Sequence, residues 1–231
     1  MRSSQQFLEY VNCLLFKKEI VNDEKLKQKA AATPSPNIKI WLDIETNGLD
    51  CETKDILELA MVATDKNGQP FDVFSQVVTP KPIKSLPRDP LVLAAFYNLD
   101  PMWTGIFLKN GLLEAHLEVA DEFENNSYST TETSACNWLL QLKKNLDISA
   151  PMIPAGINVD FDLKFLAKRM PLLFSLFSYI KYDLSTLRLA TDFRPNYQQI
   201  AKEFQHRALY DLYLSINENK NYKVSKEIIG F

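Results

Sequence analysis

Apolar residues alternate with others at Ile38, Ile40, Leu42 and Ile44, the period-two pattern of a strand with one buried face. Asn47-Gly48 supplies the turn that ends it. The apolar run Ile56–Thr64 predicts a second strand. Asp65-Lys66-Asn67-Gly68 closes it, and Phe71–Val78 reads as its hairpin partner. Pro80, Pro82, Pro87, Pro90 and Pro101 then predict an irregular stretch. Trp138, Leu139 and Leu142 suit a helix over 131–146, and Met152–Ile157 a short buried strand. Phe161–Met170 is helical in pattern and is stopped by Pro171. Residues 183–190 fit another helix start, with Asp183 or Ser185 as N-cap, and a final helix follows His206. Strands first, then helices mixed with strands, predict an α/β domain with a mixed sheet. No internal repeat is present.

Before Ile38 the pattern differs. Phe7, Val11, Leu14 and Leu15 recur at helical spacing, a charged stretch runs to Lys29, and residues 30–36, rich in alanine and proline, read as a linker. Residues 1–37 are therefore expected to be a helical arm and 38–231 the main domain. The arm either packs on its own domain or serves as a partner-binding or dimer-bracing element.

Composition narrows the function classes. Of 231 residues, 46% are hydrophobic, enough for a sizeable core. A net charge of −3 and a pI near 5.5 argue against a long phosphate-tracking surface and favour a short substrate in a local pocket. Cys13, Cys51 and Cys136 are distant and odd in number, so neither a disulfide framework nor a structural zinc site is expected. No apolar run nears the roughly 20 residues that span a bilayer, and the acidic N-terminal stretch does not read as a signal or transit peptide. A cytoplasmic protein with no membrane partner is expected.

Three groups of residues carry candidate chemistry. Asp43-Ile44-Glu45 ends the first strand, where residues two apart share a face, so both carboxylates converge. Like charges forced together are relieved by a divalent cation, and hard oxygen donors suit Mg²⁺ or Mn²⁺. Asn158-Val159-Asp160-Phe161-Asp162 opens a helix, where carboxylates are also favoured by the helix dipole alone. His206 stands five positions before Asp211, so a loop histidine and a helical acid can face one cleft. Each group alone is common on protein surfaces. His116, the other histidine, has no ligand partner at metal spacing and reads as a surface or satisfied core residue. Lys164, Lys168 and Arg169 read as a solvated helix face, with phosphate guidance as the sharper alternative.

Taken together, Asp43-x-Glu45, Asn158-x-x-x-Asp162 and His206-x-x-x-x-Asp211 resemble the motifs of the DEDDh 3′→5′ exonucleases, in their order and rough separation. The run from Asp43 to Asp50, with Gly48-Leu49 after the acids, is similar to that superfamily's first motif. Within it, Asp162 to Pro171 with Phe177, Tyr179 and Asp183-Leu184-Ser185-Thr186-Leu187 resembles the segment after the third acid in oligoribonucleases, and Lys109 to Glu114 resembles another stretch of the same family. The resemblance covers Ile38 to about Ile216.

That resemblance implies a ribonuclease H-like α/β fold, a mixed five-stranded sheet flanked by helices, and hydrolysis of short RNA to 5′-mononucleotides with two divalent ions. It implies that Asp43 bridges both ions, that Glu45 and Asp211 hold the ion carrying the attacking water, and that Asp162 supports the second. His206 would be the general base, Leu49 a wedge against the terminal bases, and Trp103 a stacking platform. Tyr179 and Ser185 fall on positions that cap the 5′ phosphate of a dinucleotide. Here the chain departs from the family: Asn158 replaces a serine, Ile180 replaces an arginine with Lys181 beside it, and a histidine before the Asn110-Gly111 turn is absent. Losing a bidentate phosphate ligand leaves strict dinucleotide preference open. The rival readings are an exonuclease acting on DNA 3′ ends or longer RNA, and a non-catalytic nucleic-acid-binding relative. The family is typically dimeric, and Leu172, Leu173, Phe174, Leu176 and Phe177 suit either an interface or the core.

Overall fold

Strand β1 (Lys39–Thr46) lies at the centre of the sheet. β2 (Ile56–Thr64) and β3 (Pro70–Val77) join it as an antiparallel meander, while β4 (Ile153–Gly156) and β5 (Tyr182–Asp183) add on the other side in parallel. The order β3-β2-β1-β4-β5 is the mixed five-stranded sheet expected. This is a computed structural model, and it describes residues 11, 38–81, 88–120, 126–191 and 204–229. The rest of the arm, with Cys13, Pro82 and Pro87, lies outside the described residues. Val11 itself is buried beside Trp41 and the last helix.

The alternation in β1 decides what each face does. Ile40, Leu42 and Ile44 point into one core with α4 (Tyr128–Asn145) and α5 (Val159–Arg169). Trp41 points to the opposite face, against α8 (Ala208–Ile229). Asp43 and Glu45 continue the Trp41 row, so period two carries both carboxylates towards the start of α8. β2 is buried along its whole length, consistent with a run between two layers that is apolar except for Glu58 and Thr64.

The proline-rich stretch is not irregular as the sequence pattern suggested. α1 (Pro90–Phe96) and α2 (Pro101–Lys109) each begin on a proline, with Asp89 and Asp100 as N-caps whose side chains accept from the first turn. Proline suits the first helical position because the N–H it lacks would be unpaired there anyway. α3 (Leu112–Glu118) follows through the left-handed Gly111 (φ 78°). These three helices enclose a third core around Leu57, Leu93, Tyr97 and Phe107. His116 is fully buried in it, with Nδ1 on the Tyr97 hydroxyl (2.9 Å) and Nε2 on the Leu57 carbonyl (3.0 Å). It is a satisfied core histidine, and burial pushes its pKa down to about 3.

α5 ends before Pro171, which starts the short α6 (Pro171–Ser175). Leu173 and Phe177 belong to the core, whereas Leu172 (66%) and Phe174 (41%) are exposed. Lys164 and Lys168 are exposed, as a solvated helix face would be, and Arg169 is half-buried. Lys168 donates to Glu52 (2.5 Å) and Arg169 to the Lys54 carbonyl (2.6 Å), so the end of α5 holds the loop joining β1 to β2. α7 (Leu184–Thr191) starts where expected, with the Asp183 carboxylate accepting from Ser185 N–H (2.8 Å).

Candidate active site

A cleft of about 180 Å³ opens at the C-terminal end of β1. Its walls include Asp43, Glu45, Leu49, Trp103, Asn158, Asp162, His206 and Asp211. The four acids Asp43, Glu45, Asp162 and Asp211 are all there, contributed by three segments. β1 brings Asp43 and Glu45, the first turn of α5 brings Asp162, and the first turn of α8 brings Asp211. Asp162 is locked by accepting the Ile44 N–H (3.0 Å), which joins α5 to the end of β1. Asp211 accepts the His206 N–H (3.2 Å), so acid and histidine fix each other across the helix start.

The electrostatics are those of an incomplete charge set. Loss of solvation, then the carboxylates of Asp162, Asp211 and Glu45, hold Asp43 well above the usual carboxylate range. Burial and Asp211 do the same to Glu45, only partly offset by Arg207. Burial raises Asp162 to about 8 against the Ile44 hydrogen bond, and Asp211 to about 7. Among the described residues none of the four pairs with a lysine or arginine. Four acids, Glu45 and Asp162 buried and Asp43 and Asp211 half-buried, repel one another with only partial relief from Arg207, and a divalent cation is the chemistry that such a set fits. Side-chain atoms of Glu45, His206 and Asp211 lie within 4.8 Å of one another, so an ion held by the two acids would have the imidazole beside it. Loss of solvation lowers the pKa of His206, favouring the neutral imidazole that can accept a proton.

The apolar walls are equally defined. Leu49 is 77% exposed at the cleft mouth and does not pack in the core. Its loop is tied down by Asn47, which accepts from Asp55 N–H (2.6 Å) and donates to the Tyr97 carbonyl (2.7 Å). Trp103 stands edge-on to His206 (5.4 Å between centroids, 88°) and tilted against Phe107. Asn158 has a left-handed backbone (φ 55°), and its N–H is shared by Asp183 (3.1 Å) and Ser185 Oγ (2.9 Å). Ser185 thus stands behind Asn158, not in the cleft wall. Tyr179 is 89% exposed and outside the wall as well. Lys181 is engaged by Asp160, and neither residue belongs to the cleft wall.

The sequence reading missed Glu58 and Arg207. Glu58 lies directly opposite Glu45 on β2. Its carboxylate accepts from Arg207 Nε and NH2 (3.1 and 2.8 Å) and from Ala208 N–H (2.9 Å). This buried pair anchors the loop that carries His206. A glutamate inside an otherwise apolar strand was the one available signal for it.

No family model matches the chain. In solved structures the fold aligns with the zinc-bound E. coli ExoI–single-stranded DNA complex (TM-score 0.53, 16% identity, 84% of this chain and 42% of that one). It also aligns with S. pombe Pop2p in its Mg²⁺- and Mn²⁺-bound form (TM-score 0.53, 11% identity, 89% of both chains). The chain spans less than half the length of ExoI. Sheet order and these likenesses show a ribonuclease H-like fold. In sequence the chain is 31% identical over 195 residues to the oligoribonuclease of Nitrosomonas eutropha, covering 81% of this chain and 94% of that one. It is 32% identical over 187 residues to the oligoribonuclease of Buchnera aphidicola subsp. Schizaphis graminum, covering 80% and 90%. A probable oligoribonuclease of Caenorhabditis elegans is 28% identical over 187 residues. The chain belongs to the oligoribonuclease family.

Proposed function

We propose that the chain is a 3′→5′ exoribonuclease that shortens small RNA fragments to 5′-mononucleotides in this cleft. Family membership makes it a 3′→5′ exonuclease. The observation that supports the active-site assignment is the convergence of Asp43, Glu45, Asp162 and Asp211 beside His206 in one cleft. The four carboxylates would hold two divalent ions, Mg²⁺ or Mn²⁺, which fit an all-oxygen acidic set. Bound there, such ions supply charge neutralisation at the phosphoryl group and a more acidic water.

The chain's own groups do the rest. His206, neutral at pH 7, takes the proton from the attacking water. The new P–O bond forms as the bond from phosphorus to the 3′ oxygen breaks, and that oxygen leaves on the shortened strand and gains a proton. Leu49 and Trp103 grip the terminal bases by apolar contact and stacking, which tolerate any base. Residues 38–231 form the catalytic unit in this reading and 1–37 an accessory arm. The exposed Leu172 and Phe174 on α6 are where a second copy would dock.

Fragments longer than two nucleotides are accepted in this reading. Ile180 and Tyr179 are exposed and Lys181 is committed to Asp160, so no free cation closes the far end of the site at these positions. The test is product analysis on end-labelled RNAs of two to about seven nucleotides, beside single-stranded DNA of the same lengths. Stepwise loss from the 3′ end at comparable rates across the RNA lengths is expected. Faster cleavage of DNA would shift the substrate assignment, and binding without cleavage would favour a non-catalytic relative.

A further inference from the structure

His206 occupies a left-handed backbone conformation (φ 60°), a strained one that a non-glycine residue keeps only where its surroundings impose it. Three sets of bonds hold the loop around it. Asp211 takes the His206 N–H, and Glu58 takes Ala208 N–H and the Arg207 guanidinium. The third set comes from Asn110, buried at the junction of α2 and α3. Its Nδ2 donates to the carbonyls of both Gln205 (3.0 Å) and His206 (2.5 Å), while its Oδ1 accepts Leu112 N–H (3.0 Å). Asn110 lies nearly a hundred residues before His206 and is absent from the cleft wall.

We propose that Asn110 is a positioning residue for His206: its carboxamide clamps the two carbonyls flanking the left-handed turn and so aims the imidazole into the cleft. The inference rests on the reading of His206 as the general base. The same amide plane has two separable jobs. The oxygen starts α3, and the nitrogen holds the histidine loop. Aspartate at 110 keeps the shape and the acceptor for Leu112 but sets an oxygen against two carbonyl oxygens. A role confined to α3 tolerates that exchange, and a clamp does not.

The test compares Asn110→Asp, Asn110→Ala, His206→Ala and the double variant Asn110→Asp/His206→Ala on one short RNA with saturating Mn²⁺. For Asn110→Asp, kcat is expected to fall about 10- to 100-fold, the cost of misplacing a reacting group by about an ångström, with KM little changed. In the His206→Ala background the same substitution is expected to add nothing, because the group it aims is gone. Asn110→Ala is expected to lower kcat in the same way, and carries the test should the aspartate variant fail to fold. An unimpaired Asn110→Asp beside an impaired His206→Ala overturns the clamp alone. An equal further loss in the double variant also overturns it, marking a general structural defect. An unimpaired His206→Ala overturns the base assignment, and the clamp with it.

Discussion

Glu45 and Glu58 face each other across β1 and β2 on the same side of the sheet, and both are buried (7% and 1% exposed). Glu58 is fully answered: a guanidinium and a backbone N–H saturate its oxygens. Glu45 faces Asp211, Asp43 and Asp162 with only partial relief from Arg207. Two glutamates a strand apart therefore do opposite work. One closes a charge balance inside the protein and fixes a loop. The other leaves a balance open, which in the proposed function cations would close.

The comparison breaks most visibly at the cluster. Asp43→Asn is expected to lower hydrolysis of short RNA at least about 1000-fold, the upper range for losing one preorganised electrostatic group. In chelator, however, the same variant should melt at a higher temperature than the parent, since one repelling charge is gone. A lower melting temperature without metal would count against the open-balance view. Glu58→Ala is expected to do the reverse to stability, costing about 3–5 kcal/mol in denaturant unfolding because Arg207 is left buried and unpaired. A loss below about 1 kcal/mol would show that the pair is not a structural anchor.

How much of this was legible follows from the range of the signals. β1, β2 and the hairpin were readable because alternation and a four-residue turn are local. The acids and His206 were readable only as a set, since each motif alone is common. α1 and α2 were misread, although Asp89-Pro90 and Asp100-Pro101 carry the cap-then-proline signature of a helix start. Proline breaks a helix from inside but starts one when a capping aspartate precedes it. Glu58 and Arg207 lie 149 residues apart, and Arg169 reaches a carbonyl 115 residues away. Such pairings are made by the folded sheet and helices, and leave no periodicity to read.

Smaller effects sharpen the contrast. Trp103→Ala is expected to weaken RNA binding by about 1–3 kcal/mol for the base that stacks on it, read as a higher KM. An unchanged KM would leave Trp103 only its packing on Phe107 and His206. The pH dependence of stability should also separate the two kinds of acid. Asp211 and Asp162 titrate at about 7 and about 8 in the folded chain, far above their unfolded values. The folded state therefore holds more protons than the unfolded one, and stability falls as pH rises through that range. His116, pushed down to about 3, works with the opposite sign but only below about pH 6.5. Between pH 6.5 and 8 the metal-free protein is thus expected to lose on the order of 1 kcal/mol per pH unit. Unfolding curves that do not shift over this window would contradict it.

The most direct test is calorimetric titration of Mn²⁺ into chelator-stripped protein, for the parent, Asp43→Asn and His206→Ala, with RNA hydrolysis followed on the same samples. Binding and activity together in the parent, neither in Asp43→Asn, and binding with little activity in His206→Ala is the expected result. Hydrolysis that persists in chelator, or Mn²⁺ binding untouched by Asp43→Asn, would contradict the account.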